Sequence, residues 1–384
     1  MKKKSTVAVV RVESDNITAG FARLMDLIGG MDALVVPFHE VMIKPNWATD
    51  RDYTTGAVTH PSVIIECIKH VQKSGAAKIY VGDSSFVGKS TEGAIEKSGL
   101  RMIKSKRVKT IDFKKSEYVH VGIPNALRYR RLGLPKEIMQ SQIIINIPVM
   151  KTHDCLPVTL GLKNMKGVLS DKDKRRFHSW GLEEGIIDVN RIVLPDLTII
   201  DGLIGMEGDG PLYGTPANAK LLIASFDPLA AEVAAINAMG FDHEAMAYIQ
   251  MAYEAGFGEK HISKIDMVGD DLDSVKRMFK SSYYNGKTFH DGKIRVYDTR
   301  ACSACRSVLN GYVREAAGAL KEKDIGLTFL AGDLSGNGNQ MDGATIGIGK
   351  CLYEHRQECT CYVPGCPPKK RNIKAAVEQL IDDK

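Results

Sequence analysis

In 384 residues there is no apolar run approaching the roughly 20 that a membrane-spanning helix requires. The start, MKKKSTVAVVRVESDN, carries a basic trio, but charge returns before any stretch of signal-peptide length. These absences set aside a span and a secretory route, and the chain reads as cytoplasmic. Charge of one sign is also scarce: the formal net charge is +6 and the isoelectric point about 8.7. That balance favours anionic substrates or acidic partners and falls short of a nucleic-acid-binding signature. Neither G-x-x-x-x-G-K-[ST] nor G-x-G-x-x-G occurs, so the usual nucleotide cradles are missing. Cysteine is nearly absent from the first 300 residues, where only Cys67 and Cys155 occur.

What is present is an ordinary globular composition, 44% apolar and 26% charged, which leaves no case for disorder. The length suits one large domain plus a smaller one, with a core that needs no disulfides. Short β-rich runs alternate with helical patterns: VAVVRV then ITAGFARLMDLIGG, HEVMIKPN then HPSVIIECIKHVQKSG, AKIYVGDSS then STEGAIEKSG. QIIINIPVMK, LTIIDG and AKLLIASFD continue the rhythm, the last leading into PLAAEVAAINAMG. This pattern predicts an α/β domain with a large, mostly parallel sheet and helices on both faces. In such sheets the ligand crevice lies outside the carboxyl ends of the strands. That rule places Lys44, Asn46, Asp83, Ser84, Lys151, His153, Asp201 and Asp227 at the expected edge. The turn-rich stretch SSYYNGKTFHDGK, 281–293, marks a boundary, giving a large domain over 1–285 and a smaller α/β domain over 286–384.

The other six of the eight cysteines fall in the last hundred residues. In a reducing compartment they read as thiols and metal ligands, not disulfides. If IRVYDT, IGLTFLAGD, ATIGIGK and the run before VPGC are parallel strands, Cys302, Cys305, Cys351 and Cys366 all follow strand ends on one edge. Cys359 and Cys361 lie at the start of the last strand and should point away. Four thiolates suit a [4Fe–4S] cluster or a structural zinc. Zinc ribbons usually present two close C-x-x-C pairs, whereas this chain has one pair and two distant singles. Proline after a cysteine, as at Cys366, is common at iron–sulfur sites. GNGNQMDG, 336–343, reads as a cover over that site.

YVPGCPP with the upstream GKC resembles the cluster-binding part of the twenty-kilodalton subunit of respiratory complex I and of the nickel–iron hydrogenase small subunit. The resemblance implies a [4Fe–4S] cluster and maps Cys351 and Cys366 onto its ligands. Cys302 and Cys305 take the place of an adjacent pair there, and the spacing from Cys351 to Cys366 is shorter here. It covers the last hundred residues alone and makes the smaller domain an iron–sulfur domain.

The densest polar stretch is NIPVMKTHDCLPVTLGLKNMKGVLSDKDKRRFH, 146–178, which supplies Lys151, His153, Lys163, Lys166, Arg175 and Arg176. Such a cluster suits a carboxylate or phosphate held by charge-assisted hydrogen bonds, and His153 can donate or accept a proton near neutral pH. MEGDGPLYGTP adds Glu207 and Asp209, which can orient a substrate or bind a divalent cation. The basic run RMIKSKRVKT, with Lys114 and Lys115, reads either as a solvated face or as a docking face for a ferredoxin-like electron donor.

These stretches, with IKPNW, HPSVI, GDSS, DGLIGMEGDGP and SFDPLAAE, resemble the family catalogued as domain of unknown function 362 over residues 5–280. Many of its members carry a cluster module. The two-cluster ferredoxin run C-x-x-C-x-x-C-x-x-x-C-P is absent here, and the small-subunit-like module stands in its place. The family is distantly similar to the nickel-pincer lactate racemases, whose histidine pattern is not reproduced. The joint reading is an iron–sulfur oxidoreductase that passes low-potential electrons through a [4Fe–4S] cluster on Cys302, Cys305, Cys351 and Cys366. Its substrate would be a small anion held by Lys44, Asn46, Asp83, Ser84, Lys166, Glu207 and Asp209, with catalysis by His153, Lys151 and Lys163. The expected partners are that anion and a ferredoxin-like donor, without nucleic acid or membrane, and a homodimer is compatible with it. Two rivals stay open: an electron-transfer or structural subunit of a larger complex, and a non-redox isomerase or lyase related to the racemases.

Overall fold

The structure is a computed structural model and describes residues 5–103, 105–282, 289–291, 294–298, 301–322, 326–332 and 343–382. The chain divides into two compact units. The large unit is Met1–Thr152 with Val158–Arg175 and Glu183–Lys280; the small unit is His153–Pro157 and Arg176–Leu182 with Ser281–Lys384. Two short segments of the middle of the chain thus belong with the C-terminal residues, which a contiguous reading does not anticipate. Among the described residues, no helix is long and apolar enough to cross a membrane.

The large unit is built on an eleven-stranded sheet. Its main row runs Ile265–Gly269, Ser5–Arg11, Leu221–Ser225, Leu197–Glu207, Ile143–Ile147, Glu40–Pro45, Lys78–Asp83, Val108–Asp112. Every strand of the row shares one direction except Leu221–Ser225, which is antiparallel to both neighbours. The isoleucine- and valine-rich runs suit strands buried on both faces. Alternate residues Ala8, Val10, Val41, Ile43, Ile79, Val81, Ile145 and Ile147 form one core with the helices Ile17–Leu27 and Pro61–Lys73, through Phe21, Leu24, Val63 and Ile64. Each helix begins where the chain supplies a cap, Asn16 accepting from Ala19 N and His60 from Ser62 N. The helix Pro228–Ala238 is buried along nearly its whole length and packs on Ser5–Arg11, Leu197–Glu207 and Leu221–Ser225 outside that core, so it covers the other face.

The small unit has a five-stranded sheet in the order Phe289–Asp291, Ile294–Tyr297, Leu327–Ala331, Ala344–Ile348, Cys361–Val363. The last four are parallel, and Phe289–Asp291 adds an antiparallel edge that the sequence pattern did not suggest. Leu309, Val313, Ala317 and Leu320 recur at helical spacing along Ser303–Glu322. With Ile373, Ala376 and Val377 of the helix Lys370–Asp382 they seal a core over Val296, Phe329, Ile346 and Ile348. Of the loop 336–343, only Gly343 lies among the described residues.

Two expectations change. Because Leu221–Ser225 runs against its neighbours, with Ser225 opposite Thr198, Asp227 stands at the amino-terminal edge of the parallel strands, not in the crevice. It caps the helix Pro228–Ala238 by accepting from Ala230 N, and also accepts from Ser5 Oγ and Glu259 N. Asp201 lies within the strand Leu197–Glu207, which runs on past it, and not at a strand end. Asp227→Ala removes a cap and two long-range bonds, so urea unfolding should show a loss of about 2–3 kcal/mol.

Candidate functional site

In the large unit, Glu40–Pro45, Lys78–Asp83 and Ile143–Ile147 lie side by side and parallel, so the loops after them share one edge. Lys44 and Asp83 are buried there, 0% and 2% exposed, with Nζ 2.8 Å from Oδ1. Asp83 Oδ2 accepts from Trp47 N at 2.7 Å. Burial lowers the Lys44 pKa even though Asp83 acts to raise it. Gly167 lies against this pair: a Cβ there would come 2.1 Å from Asp83 Oδ1 and 2.7 Å from Lys44 Nζ. Close approach of backbone to a buried ion pair is why this position has no side chain.

Lys151 donates to Asn46 Oδ1 at 2.7 Å and to Ala57 O at 2.9 Å. Asn46 in turn donates to Asn164, Asn164 to Asn146, and Asn146 to Gly161 O, a chain of amides that fixes the Lys151 partner. Burial, with the charges of Lys163 and Lys44, brings the Lys151 pKa down to about 7 against the pull of Asp83 and Asp201. Lys163 and Lys166 lie on the short helix Gly161–Asn164 and the turn Met165–Val168; Lys163 donates to Thr159 Oγ1 at 3.2 Å. Ser84 Oγ donates to Gly167 O and accepts from Lys174, which also bonds the Ser84 and Ser85 carbonyls. Ser84 is therefore an anchor for the segment 167–174.

Buried together are thus Lys44, Lys151, Lys163, Lys166 and Lys174. Burial also brings Lys174 to about 7. The acids beside this group are pushed toward neutrality, again chiefly by burial: Asp201 to about 6 and Glu232 to about 7. Glu232 accepts from Leu162 N at the start of the Gly161–Asn164 helix and from Tyr248 Oη. Lys174 and Glu232 were not singled out in the sequence. Glu232 had a signal, as the one charged residue inside PLAAEVAAINAMG; Lys174 had none to separate it from Arg175 and Arg176.

Other expected residues are differently placed. Glu207 is ion-paired to Arg277 at 3.2 Å and accepts from Lys280 N, so its carboxylate holds the large unit's chain together. Asp209 is half-buried in the following turn, where its carbonyl accepts from Tyr213 N. Lys114 donates to the Phe86 and Lys89 carbonyls, and Lys115 and Arg101 both pair with Glu92. His153 falls in the small unit, apart in the chain's division from Lys151 and Lys163. Its Nδ1 accepts from Cys155 N at 2.9 Å and Leu156 N at 3.3 Å. Asp154 accepts from Ser307 Oγ at 2.9 Å. The donor atoms of His153, Asp154 and Cys155 lie within 4.8 Å of one another, a closeness that follows from three consecutive residues in a tight turn.

The small unit's parallel ladder carries the thiols. Cys302 follows Ile294–Tyr297, Cys351 follows Ala344–Ile348 and Cys366 follows Cys361–Val363, while Cys305 is one turn into the helix Ser303–Glu322. The ladder continues into the loops, with Gly349 N donating to Val363 O and Lys350 N to Gly365 O. A Cβ at Gly349 would lie 3.2 Å from Cys305 Sγ and 3.7 Å from Gly365 O, which places three thiol-bearing loops together. Hydrogen bonding from Cys305 brings the Cys302 thiol down to about 5. That same bond, burial, and the charges of Cys302, Cys366 and Cys351 raise Cys305. Cys361 opens a three-residue strand level with Ile346 in the middle of its neighbour, and Cys359 Sγ lies against Gly347. All eight cysteines are free thiols.

The profile of the domain of unknown function 362, DUF362, matches residues 41–237, and the chain belongs to that family. A thylakoid-associated protein of Synechocystis sp. is 30% identical over 237 residues, 60% of this chain and 72% of that protein. The lactate racemase apoprotein from Thermoanaerobacterium thermosaccharolyticum is similar at 12% identity and a TM-score of 0.38, over 58% of this chain and 54% of its own. This chain spans about half the length of that racemase. The cysteine-bearing residues 302–366 lie beyond the matched span.

Lys151 is held below its ordinary 10.5. Between pH about 7 and 10.5 the unfolded chain therefore binds a proton that the folded chain does not, and the stability this group contributes rises with pH. Lys151→Met removes that dependence. Its melting temperature relative to wild type should be higher at pH 6 than at pH 10, by about 5 °C or more, in differential scanning calorimetry.

Proposed function

We propose that this DUF362 protein is an iron–sulfur oxidoreductase. Cys302, Cys305, Cys351 and Cys366 hold a [4Fe–4S] cluster, and low-potential electrons taken up there reduce a small anion bound among the buried lysines of the large unit. The observation that carries the reading is that Cys302, Cys305, Cys351 and Cys366 all follow strand ends of one parallel ladder, with Cys305 beside the Gly349 and Gly365 loops. One close C-x-x-C pair with two distant singles, and the proline after Cys366, support a cluster over a zinc ribbon.

When bound, a [4Fe–4S] cluster supplies one-electron storage and transfer. The protein supplies the rest. Lys44, oriented by Asp83, and Lys163 supply hydrogen-bond donors to the anion. Lys151 Nζ, near half-protonated at neutral pH and held by Asn46 and Ala57 O, gives or takes a proton without leaving its place. Proton transfer is assigned to Lys151, the amine that burial brings to about 7. The same Lys151 favours a second reading, a non-redox isomerase or lyase in which this amine abstracts a proton and the cluster only braces the tail.

Single Cys→Ser variants test the ligand set. Replacing Cys302, Cys305, Cys351 or Cys366 should each cost at least half of the chelatable iron in anaerobically purified protein, whereas Cys359→Ser and Cys361→Ser should retain it. An equal loss at all six would remove the assignment. In Lys151→Ala, iron should stay at the wild-type level while substrate-dependent reoxidation of the cluster, followed by visible absorption, slows by about 100-fold or more. A substrate that turns over without changing that absorption supports the isomerase or lyase instead.

A further inference from the structure

Two of the four thiols, those of Cys351 and Cys366, belong to exposed residues, while Cys305 is buried and Cys302 half-buried. A redox centre with that asymmetry has one face toward solvent, and the residues around the face decide what meets it. Between Gly349 and Arg371 there are five lysines and arginines against two glutamates. Lys350 adjoins Cys351 and is exposed; Lys369 and Arg371 follow Cys366 through two prolines and are exposed as well. Of the two acids, Glu358 is paired to His355 at 2.8 Å. Tyr353, 55% exposed, lies 4.1 Å beneath the Arg356 guanidinium and 6.3 Å from Tyr362, giving the rim a flat aromatic contact. Tyr362 Oη donates to Gly349 O, so this contact is fastened to the Cys351 loop.

We propose that this rim, Lys350, Arg356, Lys369 and Arg371 with Tyr353, is the docking face for a small acidic one-electron carrier protein, and that electrons enter through the Cys351 and Cys366 side. The inference rests on the iron–sulfur reading and adds the place of entry and the partner's chemistry. One electron leaves the iron–sulfur centre of the reduced carrier, which is oxidised, and reduces the thiolate-held cluster by one; no bond is made or broken. Basic side chains around the exposed thiols steer an acidic carrier and set the encounter rate, the role in which surface charge is most effective.

The test uses full-length, anaerobically purified holoprotein mixed in a stopped-flow instrument with a reduced acidic bacterial ferredoxin, with photoreduced neutral deazaflavin as the control reductant. The ferredoxin rate should fall about 10-fold or more between 50 and 500 mM salt. In Lys369→Glu/Arg371→Glu it should fall to a similar extent at low salt, with iron content and deazaflavin rate unchanged. A ferredoxin rate indifferent to the charge reversal, in protein that deazaflavin still reduces, overturns the docking face and leaves the cluster standing. Protein that holds no iron and that neither reductant bleaches overturns both. Charge-dependent binding to phosphatidylserine–phosphatidylcholine vesicles, with no effect on the ferredoxin rate, overturns it in favour of a membrane contact.

Discussion

An ammonium group without water must find its counter-charge in the protein, and Lys44 finds it in Asp83. Both are buried at the ends of adjacent parallel strands, 2.8 Å apart. Around that contact the rest of the large unit's site is arranged. Asp83 holds the Trp47 amide, Gly167 packs without a side chain against the pair, and Ser84, the next residue, ties down Gly167 and Lys174. Breaking such a pair by removing one partner leaves the other charge buried and alone, at a cost of about 3–5 kcal/mol. An arrangement this expensive to disturb is rigid.

The small unit solves a different problem with the same device. Parallel strands deliver every carboxyl end to one edge, so cysteines far apart in the chain arrive together with no need for a compact motif. Backbone bonds from Gly349 to Val363 and from Lys350 to Gly365 carry the ladder past the strands and lock the Cys351 and Cys366 loops in register. Each unit thus places its chemistry at the ends of its strands: buried lysines in one, sulfur in the other.

Much of this was legible in the sequence because it depends on direction and period. Alternating β and α patterns gave the strands, and the positions of Cys302, Cys351 and Cys366 just after β-rich runs gave the thiol edge. Where the reading failed, direction was the reason: ASFD looked like any other strand end, and nothing local revealed that Leu221–Ser225 runs backwards and carries Asp227 away. Partners were also invisible. Glu207 looked available until Arg277, 70 residues on, was seen against it, and Lys114 looked like surface until its carbonyl partners appeared. Glu232 was overlooked because a helix that is apolar all round reads as core, although a single acid inside it had to be there for a reason.

In the proposed reading, four thiolates hold a redox centre. Anaerobic purification of the untagged chain, followed by iron, acid-labile sulfide and zinc analysis and electron paramagnetic resonance after reduction, tests it directly. About four iron and four sulfide per chain, with a paramagnetic signal that appears on reduction, are expected. One zinc per chain, with no iron and no signal, would contradict it.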